Sequence, residues 1–288
     1  MNPLSQAIVS GTISGTVYVL LATGLIIAFQ TTRIVNLAHG ETYSIAGLVT
    51  AATAHAGLPV MAAIAVGLTS AVVYSIAIER ILLRPRAHWP VSSLILVSLA
   101  AAFLSRGVLQ VVFGPDAVSF KRMFIGAPFR LAGGIMPQQG FWLVVIGLVA
   151  AIITAQLLTR TRIGKQLRAT AENADAAQLL GVNVDAARMI SFALAGLLGG
   201  LSAILLVPLI SVDYQAGLGM TLRGFIAASL AGMSPLGAIF GGLALGLAEA
   251  LVTTYFGALA QDPIIFVVLI AVAIWQSRHV RFGGSVRA

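Results

Sequence analysis

Long apolar runs separated by short polar breaks organise the chain. A bilayer crossing takes about 20 predominantly apolar residues. That length picks out candidate spans at 7–29, 36–56, 59–79, 91–113, 140–158, 189–211, 219–234, 236–256 and 263–277. The second opens on Asn36, His39 and Glu41, and the pair 219–234 and 236–256 is short and joined at Ser234-Pro235, so eight to ten crossings fit the pattern. No segment alternates apolar and polar positions as a membrane-barrel strand would. The first apolar run is too long for a signal-peptide core and has no Lys or Arg before it, so it reads as a true span. The pattern predicts an all-α fold, a polytopic transmembrane helix bundle, forming one domain over 1–288.

Composition strengthens this reading. Of 288 residues, 59% are apolar and 9% charged, against about 45–50% and 25% in soluble domains. A globule of this size has too little interior to hide that much apolar surface. A soluble enzyme, a nucleic-acid-binding domain and a disordered tail are therefore excluded. The absence of cysteine removes disulfides and thiol chemistry. His39, His55, His88 and His279 never pair at helical ligand spacing, so neither metal nor cofactor is expected. Glycines recur four apart at Gly11 and Gly15, Gly196 and Gly200, Gly237 and Gly241, and Gly242 and Gly246. Small residues let helices approach closely in lipid; the pairs suit packing inside the bundle or a subunit interface.

The net charge of +8 sets orientation. If 159–188 is cytoplasmic, the inner side carries Arg33, Arg80, Arg84, Arg86, Arg160, Arg162, Lys165, Arg168, Arg188, Arg278, Arg281 and Arg287. The outer segment 114–139 has only Lys121, Arg122 and Arg130, while Arg106 and Arg223 fall within spans. Twelve of 17 basic residues on one side is a positive-inside signal, and it puts the C-terminus in the cytoplasm.

Residues 166–180 favour helix, Gly181 suits a left-handed C-cap, and Asp185 suits the N-cap of the next span. The loop 159–188 thus predicts a helix lying on the inner face, either docking a cytoplasmic partner or resting on lipid headgroups.

Ionisable groups inside a membrane are costly and mark function by default. Arg106 and Glu249 each lie seven residues from the outer end of an outward-running span, on the order of 10 Å deep at about 1.5 Å per residue. Equal depth predicts an Arg106–Glu249 ion pair; the other reading has Arg106 snorkelling to the headgroups. Asn36, His39 and Glu41 read as a capped helix start or as a broken helix beside a translocation path. Glu249 joins them as a path candidate.

Three segments carry a family pattern. Ile34-Val35-Asn36-Leu37-Ala38-His39-Gly40-Glu41 resembles the N-F-A-H-G-E signature of branched-chain amino acid ABC-transporter permeases. Arg168-Ala169-Thr170-Ala171-Glu172-Asn173 with Ala176 to Asn183 resembles that family's coupling segment, and Gly232 to Glu249 its Gly-rich late span. Leu37 replaces the usual Phe, Ala231 stands where Gly is common, and Met233-Ser234-Pro235 is one residue shorter than usual. The resemblance implies a type II ABC-importer-like permease subunit of a bacterial cytoplasmic membrane. It implies as partners a second, paralogous permease subunit, two cytoplasmic P-loop ATPase subunits, and a periplasmic or extracellular solute-binding protein. Arg168, Glu172, Leu179, Leu180, Gly181 and Asn183 would then meet the ATPase. The same family includes carriers of urea and short amides.

The chain has no G-x-x-x-x-G-K-[ST] phosphate loop: Gly164-Lys165 is followed by Gln166, and position 159 is Thr. No nucleophilic triad or paired-carboxylate arrangement stands out, so the chain reads as a transport subunit and not an enzyme. An ion-coupled secondary transporter is the rival; it needs deep membrane acids, for which Glu249 is the one fair candidate.

Overall fold

The computed structural model describes residues 2–131, 133–230 and 232–260, with 263, 267, 270, 271 and 274 beyond them. Among these, α1 (Pro3–Thr32), α2 (Glu41–His55), α3 (Val60–Ala77), α4 (Val91–Phe113) and α5 (Gln138–Arg160) form the first half. Then come α6 (Arg162–Glu172), α7 (Ala174–Leu179), α8 (Val184–Leu206), α9 (Ala216–Leu230) and α10 (Gly237–Phe256). Among the described residues, six stretches are long and apolar enough to cross a membrane: α1, Val60–Arg86, α4, α5, α8 and α10. Most of the candidate span 263–277, together with Arg278, Arg281, Arg287 and Ala231, lies outside the described residues.

Local chemistry sets the ends of these helices. Asn2 caps α1 by accepting from the Leu4 N–H, and Pro3 supplies a preset backbone angle at the first position. Arg33 closes α1 in the left-handed region (φ 56°). α3 widens into a π-helical turn at Ile78–Leu83 and then tightens into a 3-10 turn at Arg84–Arg86, where Pro85 removes a backbone donor.

Two expected spans are shortened. Residues 36–56 and 219–234 were predicted as crossings, but α2 and α9 are 15 residues each. At about 1.5 Å per residue such a helix is near 22 Å long, short of a hydrocarbon core of about 30 Å. Each is reached by a non-helical stretch, 33–40 before α2 and 207–215 before α9. The second stretch is pinned by an antiparallel bridge between Val212 and Val118 of the 114–137 segment, which also forms a hairpin of β1 (Phe129–Leu131) and β2 (Gly134–Met136).

Helix packing repeats between the halves. α1 packs on α10 as α3 packs on α8; α1 meets α9 as α2 meets α8; α1 crosses α8 and α2 meets α9 on the axis between them. The triplet α1-α2-α3 therefore matches α8-α9-α10. Its members run in opposite directions: α1 ends where Arg33 reaches Ala171 of α6, α8 starts on that same side where Asp185 meets Arg84, and α10 lies antiparallel to α1 along Gly11–Leu247 and Gly15–Gly242, an inverted repeat of the kind found in many alternating-access carriers.

Three of the four glycine pairs, Gly11 and Gly15, Gly196 and Gly200, and Gly242 and Gly246, pack inside the chain. A Cβ on Gly246 would overlap the backbone of Gly15, and one on Gly242 would press on Val19 of α1. Gly196 and Gly200 face Ala71, Val72 and Ser75 of α3 in the same manner. We expect Gly246→Val to lower the thermal midpoint of the purified protein by an amount corresponding to about 1–3 kcal/mol of overpacking. Gly107→Val, where an added Cβ meets nothing within 4 Å, should leave it unchanged. A fluorescence-detected gel-filtration melt compares the two.

On the inner side, one helix was expected over 166–180. The chain breaks instead at Asn173, whose side chain turns back to accept from the Ala176 N–H and starts α7; short polar side chains compete with the helix backbone in this way. Gly181 takes the left-handed conformation (φ 81°) as expected. The cap of α8 is Asn183, accepting from Ala186 N–H. Asp185, expected to be that cap, falls inside the first turn and pairs with Arg84.

Candidate functional site: where two short helices meet

The starts of α2 and α9 converge inside the bundle. The Gly40 N–H donates to Thr221 Oγ1 at 2.8 Å, and Thr221 in turn donates to the Leu37 carbonyl at 3.1 Å. No side chain fits between the strands of this crossing: a Cβ on Gly40 would overlap the Gly217 carbonyl, and one on Gly217 would overlap the Glu41 carboxylate. Glycine at 40 is thus required by close backbone approach, and glycine at 217 by the buried Glu41 carboxylate packed against it.

The stretch 33–40 spends its polar groups on holding this shape. Asn36 Oδ1 accepts from the Ala38 N–H at 3.0 Å, and Ser98 of α4 accepts from the Leu37 N–H at 3.0 Å. His39 Nε2 lies 3.1 Å from the Leu21 carbonyl of α1; a carbonyl only accepts, so Nε2 carries the proton. Asn36 and His39 are buried, and neither lines the cavity that opens beside Arg223.

Glu41 is fully buried and pairs with Arg106, whose Nε donates at 3.1 Å. The same guanidinium donates from Nη2 to the Gln215 carbonyl, 3.1 Å away. Arg106 therefore ties α4, the start of α2 and the linker into α9. The carboxylate also lies against the first turn of α9, where the helix dipole favours negative charge.

The predicted Arg106–Glu249 pair does not form. Glu249 Oε1 accepts from Arg223 Nε of α9 at 2.9 Å, and its Oε2 accepts from the Tyr18 hydroxyl of α1 at 2.5 Å. Equal depth was sound arithmetic, but depth is one coordinate of three. α4 packs on α2 and the turn following α3, while α10 packs on α1 and α9, so the two charges sit on different sides of α1 and α2.

A cavity of about 400 Å³ opens beside this trio on the half of the bundle that carries 114–137. Tyr18 of α1, Tyr43 of α2, Asp213 and Gln215 of the linker, and Met220 and Arg223 of α9 line it. Glu249 and Arg223 are legible in the sequence as ionisable groups within spans, whereas Tyr18, Tyr43 and Asp213 are single residues in apolar or loop context that carry no signal.

The inner-face candidates fall into two groups. Leu179 and Leu180 are 90% and 84% exposed at the end of α7, next to Gly181 and Asn183. Arg168 and Glu172 sit on α6 around a smaller cavity with Arg33. Arg168 Nη1 donates to the Leu158 carbonyl at the end of α5, and Arg33 Nε to the Ala171 carbonyl of α6. α6 is thus fastened to the bundle, while the tip of α7 projects from it.

Residues 7–273 match the model of the family described as "Branched-chain amino acid transport system / permease component". The chain is 27% identical to the high-affinity branched-chain amino acid transport system permease protein LivH of Escherichia coli K12, covering 93% of this chain and 92% of that protein. It is 30% identical to the probable branched-chain amino acid transport permease protein LivH of Methanocaldococcus jannaschii, over 82% and 77% of the two chains. Its fold resembles a chain of PsaBC from Streptococcus pneumoniae in complex with Fab (TM-score 0.50, 14% identity, 96% and 91% covered). With nine-tenths of its length inside the family pattern, the chain belongs to the branched-chain amino acid transport system permease component family.

Proposed function

We propose that this chain, folded as one domain over 1–288, forms half of the translocation path of an ATP-driven importer for branched-chain amino acids in a bacterial cytoplasmic membrane. The observation that carries the reading is the meeting of α2 and α9, two half-length helices from inverted repeats, at a polar junction inside the bundle. Rocking one triplet against the other would open the bundle to either side of that junction. In this mechanism Asn36, His39 and Glu41 are positioning residues that hold the junction, and Glu249 fixes Arg223 at the wall of the cavity.

The energy comes from partners. The tip of α7, with Leu179, Leu180 and Gly181, inserts into a groove of a P-loop ATPase; Arg168 and Glu172 on α6, with Asn183 at the start of α8, carry the motion to the bundle. A second, paralogous permease subunit completes the path, and a solute-binding protein delivers substrate to the face bearing 114–137. The C-terminus lies on the same cytoplasmic side as α6 and α7.

The test is uptake by the reconstituted complex with leucine, valine, urea and a short amide as solutes. ATP-dependent uptake of leucine and valine but not urea is the expected result. Uptake that follows an ion gradient without ATP would replace this reading with that of a secondary transporter. Uptake of urea or the amide alone would keep the mechanism and change the substrate.

A further inference from the structure

The cavity beside α9 has a charge layout that goes beyond a mere passage. Asp213 stands on the linker, three positions before the first residue of α9, and Arg223 two turns into the helix. Acid and base thus lie along one wall of a single cavity. Asp213 is oriented, since its Oδ1 accepts from the Gln215 N–H at 2.8 Å. Arg223 is oriented by Glu249, which is itself held by Tyr18. The guanidinium leans back towards the N-terminus of α9: a Cβ built on Gly219, one turn earlier, would lie 3.2 Å from Arg223 Nη1. Glycine at 219 keeps the wall between the two charges bare. Leu206, Ile210 and Met220 supply the apolar remainder.

We propose that this cavity is a stopover site for a zwitterionic α-amino acid during translocation. The substrate carboxylate meets Arg223, its ammonium meets Asp213, and its aliphatic side chain lies on Leu206, Ile210 and Met220. A guanidinium presents a fork that matches a carboxylate. A volume of about 400 Å³ lies within the range of small-molecule sites. The proposal rests on the amino-acid importer reading above and narrows it to named contacts.

The experiment uses the full reconstituted complex and a diazirine analogue of leucine, photolysed and mapped by mass spectrometry, with leucine uptake measured in parallel. Adducts are expected on Met220, Tyr43 or Ile210. Leucine should compete for labelling, whereas isovalerate and isoamylamine, each with one charge missing, should compete about tenfold less well or worse, the worth of one charged hydrogen bond. Gly219→Leu should abolish the adducts by filling the wall. It should not unfold the helix, because the only atom its Cβ meets is the end of a flexible side chain. Asp213→Asn should cut labelling about tenfold and raise the KM for leucine more than it lowers kcat, a split that a merely structural role would not give. Leucine uptake with no adduct in the cavity, labelling that persists in Gly219→Leu, or equal competition by the singly charged analogues would each overturn the site while leaving the importer reading intact. Absence of both leucine uptake and labelling would overturn the two together.

Discussion

Replacing Arg106 by Gln is expected to remove most of the folded, assembled protein. Glu41 is fully buried, and Arg106 is the cation that faces it. Taking away one partner of a buried ion pair leaves an uncompensated charge and costs about 3–5 kcal/mol, a large share of the 5–15 kcal/mol that typically holds a domain folded. Arg106 also donates to the Gln215 carbonyl, so the linker into α9 loses a tether. The double substitution Arg106→Gln with Glu41→Gln should regain much of the loss, because two neutral amides can meet where two charges met. The cycle is read as thermal midpoint and yield of the purified complex. Additive effects at 41 and 106 would refute the coupling. Pairing Arg106→Gln with Glu249→Gln should by contrast be additive, since Glu249 bonds to Arg223 and Tyr18.

Leu179→Asp together with Leu180→Asp is expected to abolish ATP-driven uptake while leaving the bundle folded. The two side chains are 90% and 84% exposed, so they add almost nothing to the chain's own core, and apolar side chains this exposed on a polar face are suited to burial in a partner. Charging them places carboxylates in an apolar groove, where desolvation opposes binding. The measurement is twofold: ATPase copurification with the tagged chain, and uptake per ATP hydrolysed. Loss of both with an unchanged thermal midpoint is the expected outcome. Normal uptake by the double variant would remove α7 from the coupling role. Charge reversal at Arg168 and Glu172 should act more weakly, because Arg168 already bonds within the chain to the Leu158 carbonyl.

Much of this architecture was legible in the linear chain because membranes impose one-dimensional rules. Long apolar runs mark α1, α3, α4, α5, α8 and α10, since in lipid only helices and closed barrels satisfy their backbone and these runs lack the alternation of barrel strands. Gly181 marked the end of α7 because its left-handed angle suits glycine. The break at Asn173 and the cap at Asn183 were missed for a local reason: several polar residues nearby offered equally plausible caps, and packing chose among them.

What the sequence determined by itself is the class of the molecule, its helical spans, the inner-face segment and the resemblance to one permease family. Hydropathy, glycine placement and motif order are properties of position along the chain, and position along the chain is what a sequence states. Tertiary structure alone decided the partners. Glu41 took Arg106 and Glu249 took Arg223 and Tyr18; apolar runs 36–56 and 219–234 became short helices meeting at Gly40 and Gly217; and Asp213 came to share a cavity with Arg223 and Tyr43. Those outcomes depend on which side of α1 each helix packs. Depth in the membrane is readable from sequence, but the angular order of helices around the bundle is set by many small van der Waals contacts, glycine against glycine, that no single segment encodes.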